Sequence, residues 1–392
     1  MHYIIFSTVI LFALANNVLA RDTQEAIQVT NTPPSIVWAK QFDTHCCDAI
    51  PMIIDNNYIF FGTRKLNRLT GSLIHNYYQT ILGNRIKSID IRDQNIVVAS
   101  MQNVREEERD RSFDYFWTVF NLKTGKERWS DYQNSRDHSV PFVTINGNNV
   151  YIIKGALFNE LIAKDILNGK VIWKKEIPYM KDLVSCDNSV FVQTGERVFC
   201  FDALNGKRQW ETPLPGGVWM RMSAGKSYLT ISRFDPDQEK SILVTLDAHD
   251  GQIIWKHEFP HGFLFRTAQF DGKVLAAVES DKDFESGQLL AFSLGDGKIV
   301  WSNRIAIDSN GHDFTPVRFG GQVLIWSGDI NHVKEFGSSG KIRLMAYNAM
   351  NGKHEWEYFP ETEECSIFSQ PVTADRYIYF NDQQRIFCIR KN

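Results

Sequence analysis

The side chains best suited to chemistry in this chain are charged, and they fall into two sets by position. One set is basic: Arg85, Lys87, Arg136, Lys181, Arg221 and Arg266, with the aromatic residues Trp219 and Phe265 beside two of them. The other is acidic: Glu106, Glu107, Glu108, Asp235, Asp237, Glu239, Asp281, Asp283 and Glu285. Guanidinium and ammonium groups flanked by rings recognise carboxylates and extended chains; they do not by themselves break bonds. The motifs that would signal bond chemistry are missing: the sequence has no Gly-rich phosphate loop, no HExxH and no CxxC.

The elements that must position these charges repeat. Six copies of one phrase run along the chain: NLKTGKERW, DILNGKVIW, DALNGKRQW, DAHDGQIIW, SLGDGKIVW and NAMNGKHEW. They pair Gly125 with Trp129, Gly169 with Trp173, Gly206 with Trp210, Gly251 with Trp255, Gly297 with Trp301 and Gly352 with Trp356. A recurrence at a constant offset means one structural unit per copy, none of which folds alone. Each phrase reads as a hairpin whose Asn-Gly, Asp-Gly or Thr-Gly supplies the φ > 0 position of a tight two- or three-residue turn. Residues on both sides alternate with period two, as in Val198–Asp202 and Lys170–Trp173. Two more short apolar runs precede each hairpin, for example Pro141–Ile145 and Asn149–Lys154. Four strands per unit, here called a to d, at intervals of about 37 to 55 residues are the pattern of propeller blades.

Degenerate copies complete the count. Leu69-Thr70-Gly71 followed by His75 is a further phrase with its Trp replaced. After Trp356 the chain supplies three strands near Ile367–Thr373, Tyr377–Asn381 and Arg385–Arg390, and then ends. The fourth is expected at the other end, where Ser35–Lys40, with Trp38, resembles Gln252–Lys256. The expectation is therefore an all-β, eight-bladed propeller of four-stranded antiparallel blades, closed by the N-terminal strand, spanning residues 35–392 as one domain. Closure removes a free blade edge. The rings of Trp38, Trp129, Trp173, Trp210, Trp255, Trp301 and Trp356 are expected to pack between blades rather than form a ligand cage. Losing one would cost about 3–5 kcal/mol.

Strand order then sorts the loops. The a–b and c–d turns share one face of the disc and are short; the b–c and d–a loops share the other and are long, which makes it the expected functional face. The acidic set falls in b–c loops toward the outside, and the basic set in d–a connections feeding the innermost strands. The predicted arrangement is an acidic ring around a basic, aromatic-flanked mouth for an anionic or extended polypeptide partner. Its candidate binding residues are Arg85, Lys181, Trp219, Arg221, Phe265 and Arg266.

Composition limits the compartment and the partner. Hydrophobic residues make up 43% and aromatics 13%, enough for a packed core, and a net charge of −3 gives no field for nucleic acid. Residues 1–20, with the apolar run Tyr3–Ala15 and the small-residue end Val18-Leu19-Ala20, read as a secretory signal, and 21–34 as a linker. The run is too short for a membrane span. Export to a bacterial periplasm, or secretion, of a monomer is expected, without a lipid anchor because no Cys follows Ala20 directly. Six cysteines suit an oxidising compartment. Ring closure would bring Cys365 near Cys46 and Cys47 for a bridge, and Cys186 and Cys200 share a blade and could pair. Cys200 and Cys388 take matching strand-c positions, where free buried thiols are an equal expectation.

The D-x-x-x-G-x-x-x-W phrase resembles the PQQ-type, quinoprotein-like propeller repeat over nearly all of residues 35–392. Two branches of that family bear on function. The BamB-type branch implies a non-catalytic scaffold for protein–protein interaction in outer-membrane β-barrel assembly, with no cofactor and with assembly components as partners. The quinoprotein dehydrogenase branch implies pyrroloquinoline quinone and calcium, with an adjacent-cysteine disulfide to which Cys46-Cys47 is similar. Asp48, Asp90, Asp313 and Glu279 are oxygen donors of the type calcium would need. Length and blade count match the scaffold branch. A generic periplasmic or secreted binding propeller is the third alternative. No partner-contacting residue is carried over, because Lys174–Ser185 has no counterpart of that branch's contact loop.

Overall fold

The computed structural model describes residues 34–41, 52–55, 57–61, 64–76, 85–92, 94–103, 113–135, 142–154, 159–214, 218–235, 237–260, 262–280, 287–305, 315–327, 342–360, 370–381 and 385–391. Its 32 strands form eight four-stranded antiparallel sheets. The N-terminal strand is β1 (Ser35–Gln41). Blade 1 is β2 (Met52–Asp55), β3 (Tyr58–Phe61), β4 (Arg64–Asn67) and β5 (Leu73–Asn76). Blade 2 is β6 (Arg85–Arg92), β7 (Asn95–Asn103), β8 (Phe113–Asn121) and β9 (Glu127–Ser135). Blade 3 is β10 (Val143–Asn146), β11 (Asn149–Lys154), β12 (Glu160–Asp165) and β13 (Val171–Glu176). Blade 4 is β14 (Asp182–Cys186), β15 (Ser189–Gln193), β16 (Arg197–Asp202) and β17 (Arg208–Pro213). Blade 5 is β18 (Val218–Ala224), β19 (Tyr228–Asp235), β20 (Lys240–Asp247) and β21 (Ile253–Pro260). Blade 6 is β22 (Gly262–Phe270), β23 (Lys273–Ser280), β24 (Gly287–Ser293) and β25 (Ile299–Ile305). Blade 7 is β26 (Val317–Phe319), β27 (Gln322–Ser327), β28 (Arg343–Asn348) and β29 (His354–Tyr358). Blade 8 is β30 (Val372–Ala374), β31 (Tyr377–Asn381) and β32 (Arg385–Arg390), completed by β1. The closure is antiparallel, from Ser35 opposite Arg390 to Gln41 opposite Arg385.

The repeat phrase is a device for joining blades. Each indole on a strand d donates Nε1–H to a carbonyl just past strand c of the next blade. The pairs are Trp38 to Arg68 at 3.2 Å, Trp129 to Ile166 at 3.0 Å, Trp173 to Ala203 at 3.1 Å and Trp210 to Ala248 at 3.0 Å. Trp255 to Leu294 at 2.8 Å and Trp301 to Ala349 at 3.1 Å continue the series. The same ring lies under the next blade's glycine. A Cβ on Gly206 would come within 2.7 Å of Trp173, and one on Gly297 within 2.6 Å of Trp255. The glycine thus serves twice, through its φ near 69° and through its missing side chain.

Two seams depart from the rule, and each is compensated. In blade 1 the Trp position is His75, which fills the space against Gly125. The carbonyl an indole would have reached there, Leu122, instead accepts from Lys65 Nζ at 3.0 Å, and Lys65 is the cross-strand partner of His75. In blade 7, Trp356 donates to Gln322 Oε1 at 3.1 Å, and Lys391 Nζ sits 4.9 Å from its ring centre.

Two expectations are corrected. The c–d turn is longer than a two- or three-residue hairpin. Asp165 N–H donates to Lys170 O and Gly169 N–H to Asp165 O, enclosing four residues. The Asp165 side chain stabilises this turn by accepting from the N–H groups of Leu167 and Asn168, an Asx turn. Asn67, Asn121, Asp202 and Asn348 repeat it. Cys186 and Cys200 do not pair: neither they nor Cys388 form a disulfide. Cys186 is in β14 and Cys200 in β16, with β15 between them. Two strand spacings of about 4.8 Å exceed the span of a disulfide. Cys46, Cys47 and Cys365 lie outside the described residues, as do 1–33.

Candidate functional site

The innermost strands β2, β6, β10, β14, β18, β22, β26 and β30 each begin on the d–a face. Side chains stitch several of them to their neighbours. Asp90 accepts N–H from its own neighbour Ile91 at 2.8 Å and from Ile145 of the next blade at 2.8 Å. Asp182 does the same with Leu183 at 2.9 Å and Met222 at 2.7 Å. Thr144 meets Ser185 at 2.9 Å, and Gln269 donates to the Ser223 carbonyl at 2.6 Å. A rigid inner ring of this kind holds whatever its strand starts present.

Three of those starts are bulged. In β18 the pairing with β19 runs from Val218 opposite Phe234 to Arg221 opposite Ser232, so Trp219 and Met220 together face Arg233. In β22 it runs from Leu264 opposite Val278 to Thr267 opposite Ala276, which places Phe265 and Arg266 in the same irregularity. In β6 the shift lies between Ile86 and Ser88, at Lys87. A bulge adds a residue, bends the strand and interrupts the ladder, and bulges gather where a sheet re-aims its side chains. Basic and aromatic residues predicted to line a mouth thus coincide with the backbone irregularities of the inner ring.

The candidate residues do not all come together. Lys181 directly precedes β14 and is exposed, its N–H bound to the Gln193 carbonyl at 2.7 Å. Trp219 and Arg221 are in β18, and Phe265 and Arg266 in β22, so five of the six belong to the adjacent blades 4, 5 and 6. Arg85 starts β6 in blade 2 and is separated from them by blade 3. Arg136 lies outside the described residues, as do Glu106, Glu107, Glu108, Asp281, Asp283 and Glu285 of the acidic set. Asp235, Asp237 and Glu239 are described at the end of β19 and in the turn after it, where Asp235 Oδ1 accepts from the N–H groups of Asp237 and Gln238.

One charge in this region escaped the sequence reading. Arg233 is buried, with 4% of its surface exposed, and its Nε has no hydrogen-bond acceptor. Burial lowers its guanidinium from the ordinary value, against the opposing pull of Asp235. The signal was visible as a cation inside the alternating run YLTISRFD.

A calcium–quinone site finds little support in the same region. Asp90 already spends both carboxylate oxygens on backbone N–H groups, and Glu279 is a buried residue of β23. Asp48 and Asp313 lie outside the described residues. Among the described residues no three His, Cys, Asp or Glu side chains converge as metal ligands. The two described donors, Asp90 and Glu279, do not fit the group.

Solved structures share this architecture. BamB from Moraxella catarrhalis superposes with a TM-score of 0.61 at 14% identity, over 91% of this chain and 100% of that one. The computationally designed protein Ika8 gives 0.62 at 14% identity, over 89% and 98%. The quinohemoprotein alcohol dehydrogenase ADHIIG from Pseudomonas putida HK5 gives 0.61 at 12% identity, over 92% and 76%. At such identities the likeness speaks for the fold, and it spans an enzyme and a designed protein. Comparison with curated proteins gave no match. The sequence itself matches a family model twice, over residues 18–257 and 183–392, and the chain belongs to that family, outer membrane protein assembly factor BamB.

Proposed function

We propose that this protein is an exported, non-catalytic scaffold that binds a polypeptide partner at the mouth of blades 4 to 6 and serves outer-membrane β-barrel assembly. The observation that carries the reading is the coincidence of bulged strand starts in β18 and β22 with Trp219, Arg221, Phe265 and Arg266, beside exposed Lys181. Family membership supports the assembly role; in this reading residues 35–392 act as one propeller after a 1–20 signal and a 21–34 linker. Among the described residues no helix is long and apolar enough to cross a membrane.

Co-purification from the cell envelope tests the role. The wild-type protein is expected to recover an outer-membrane β-barrel protein or a component that assembles one. The Lys181→Ala/Arg221→Ala variant is expected to lose it at an unchanged melting temperature. Recovery that the double variant leaves intact removes the mouth from the reading; recovery of no such component removes the assembly role. The dehydrogenase alternative, which the shared fold of ADHIIG keeps in view, is read separately. Adding quinone and calcium is expected to give neither a bound-quinone absorbance nor a thermal shift.

A further inference from the structure

Among the described residues, several other buried or part-buried charges have partners. Lys65 donates to the Leu122 carbonyl, Asp131 holds Lys154 and Lys164, and Asp90 and Asp182 each take two backbone N–H groups. Arg233 differs. At 4% exposure its Nε has no acceptor, its side chain forms no ion pair among the described residues, and the charge that acts on it is Asp235, two positions along the same strand. An arginine cannot relieve this by losing its proton, since its guanidinium stays charged in proteins. A buried guanidinium whose Nε has no acceptor carries a standing desolvation cost that an entering anion offsets.

Its surroundings say where an anion would enter. Alternation along β19 puts Leu229, Ile231 and Arg233 on one side of the sheet. Leu229 and Ile231 pack with Phe191, Trp210 and Leu214 of blade 4, so Arg233 lies on the blade 4 side of blade 5. Along the sheet it faces Ile242 on one flank and the Trp219–Met220 bulge on the other, at the end of β19 nearest the d–a face. Arg221, part-buried, is opposite the adjacent Ser232, and exposed Lys181 precedes the innermost strand of blade 4. The ladder is interrupted opposite Arg233, and Lys181 stands on the blade 4 side of it, whereas Arg221, paired with Ser232, lies on the other face of the sheet.

The charge balance selects the anion. One guanidinium partly offset by Asp235 suits a single negative charge, and a planar guanidinium matches the two oxygens of a carboxylate. A dianionic phosphate would leave charge uncompensated. Resting on the scaffold reading above, which makes the ligand a polypeptide, we infer that Arg233 is the receptor for one carboxylate of that bound chain, entering between blades 4 and 5.

Three peptide probes, differing in the central residue or the C-terminus, test this on the full mature chain. They are an amidated peptide of alternating Val and Thr with one central Asp, the same peptide with Asn, and the Asn peptide with a free C-terminal carboxylate. Wild type is expected to bind at least one carboxylate peptide tenfold or more tightly than the amidated Asn peptide. The preferred peptide tells a side-chain carboxylate from a terminal one. Arg233→Met, similar in length and uncharged, is expected to abolish that preference while leaving the free protein as stable as wild type or more so. Arg233→Lys, which keeps the charge and loses the fork, is expected to retain only part of it, and carries the test if the methionine variant does not fold. No preference in wild type, a full preference in either variant, or competition by inorganic phosphate equal to that by acetate would overturn the assignment. The scaffold reading fails separately. A carboxylate preference that depends on Arg233, with no β-barrel component recovered, keeps this site and removes the assembly role; recovery of the component with no carboxylate preference does the reverse.

Discussion

Gly206 and Gly272 share a backbone conformation and differ in what surrounds them, so alanine at each separates two reasons for a glycine. Both have φ 69°. A Cβ on Gly272 would meet nothing within 4 Å, whereas one on Gly206 would lie 2.7 Å from Trp173 Cδ2 and 2.8 Å from its Cε3. The left-handed conformation costs alanine about 1–2 kcal/mol at either site. At 206 the indole must also move, and it is held: Nε1 donates to the Ala203 carbonyl at 3.1 Å, and its ring centre is 5.7 Å from that of Tyr151. Forcing a carbon into such a contact costs about 1–3 kcal/mol more. Gly272→Ala should therefore cost about 1–2 kcal/mol and Gly206→Ala about 2–5 kcal/mol. Urea unfolding at equilibrium, with matched slopes, reads the difference. A cycle through Trp173→Ala sharpens it, because without the ring Gly206→Ala should fall to the cost of Gly272→Ala, a coupling of about 1–3 kcal/mol. Equal costs at the two glycines, or a coupling near zero, would refute the claim that the neighbouring blade's ring, and not the turn alone, demands the repeat glycine.

Other expectations follow from the seams between blades. Burial would raise the Asp131 carboxyl, but hydrogen bonds and charge from Lys154 and Lys164 outweigh it and hold it below 3.8. Its stabilisation is thus complete above that value and lost as pH falls through the lowered folded value. Asp131→Asn should flatten the acid limb of a stability–pH profile and cost about 2–3 kcal/mol at neutral pH, less than for a fully buried pair; an unchanged acid limb would count against the triad. Asp182→Asn leaves one carbonyl oxygen for the Leu183 and Met222 N–H groups, and should cost about 1–3 kcal/mol in urea unfolding. Burial pushes the Cys200 and Cys388 thiols up to about 11 and about 12, so native alkylation with peptide mapping should label half-buried Cys186 and spare those two. Labelling of Cys200 at the rate of Cys186 would contradict the packed seam between blades 4 and 5.

How far the chain could be read depended on the kind of interaction. Blade number and the closing strand were legible because Gly-to-Trp spacing and period-two alternation are local signals, and β1 pairs with β32 as they imply. The turn was misjudged although its signal was present. Asn or Asp opens most of the phrases, and the structure shows that side chain accepting the turn's N–H groups. The bulges in β6, β18 and β22 left no mark that could be read, since register is a relation between two strands. Lys65 likewise carried no label: its service to Leu122 appears only once His75 is seen to stand where an indole would have reached that carbonyl.

The sequence by itself determined the ring, because each phrase encodes one self-similar unit whose apolar faces need a neighbour. Only the tertiary structure decided which charges share neighbouring blades and which are answered. Five candidate residues fall on blades 4 to 6, Arg85 stands apart on blade 2, and Arg233 is buried with an Nε that has no acceptor among the described residues. The physical reason is that alternation and turn propensity act over a few residues, whereas burial and ion pairing are set by whichever strand the closed ring brings alongside.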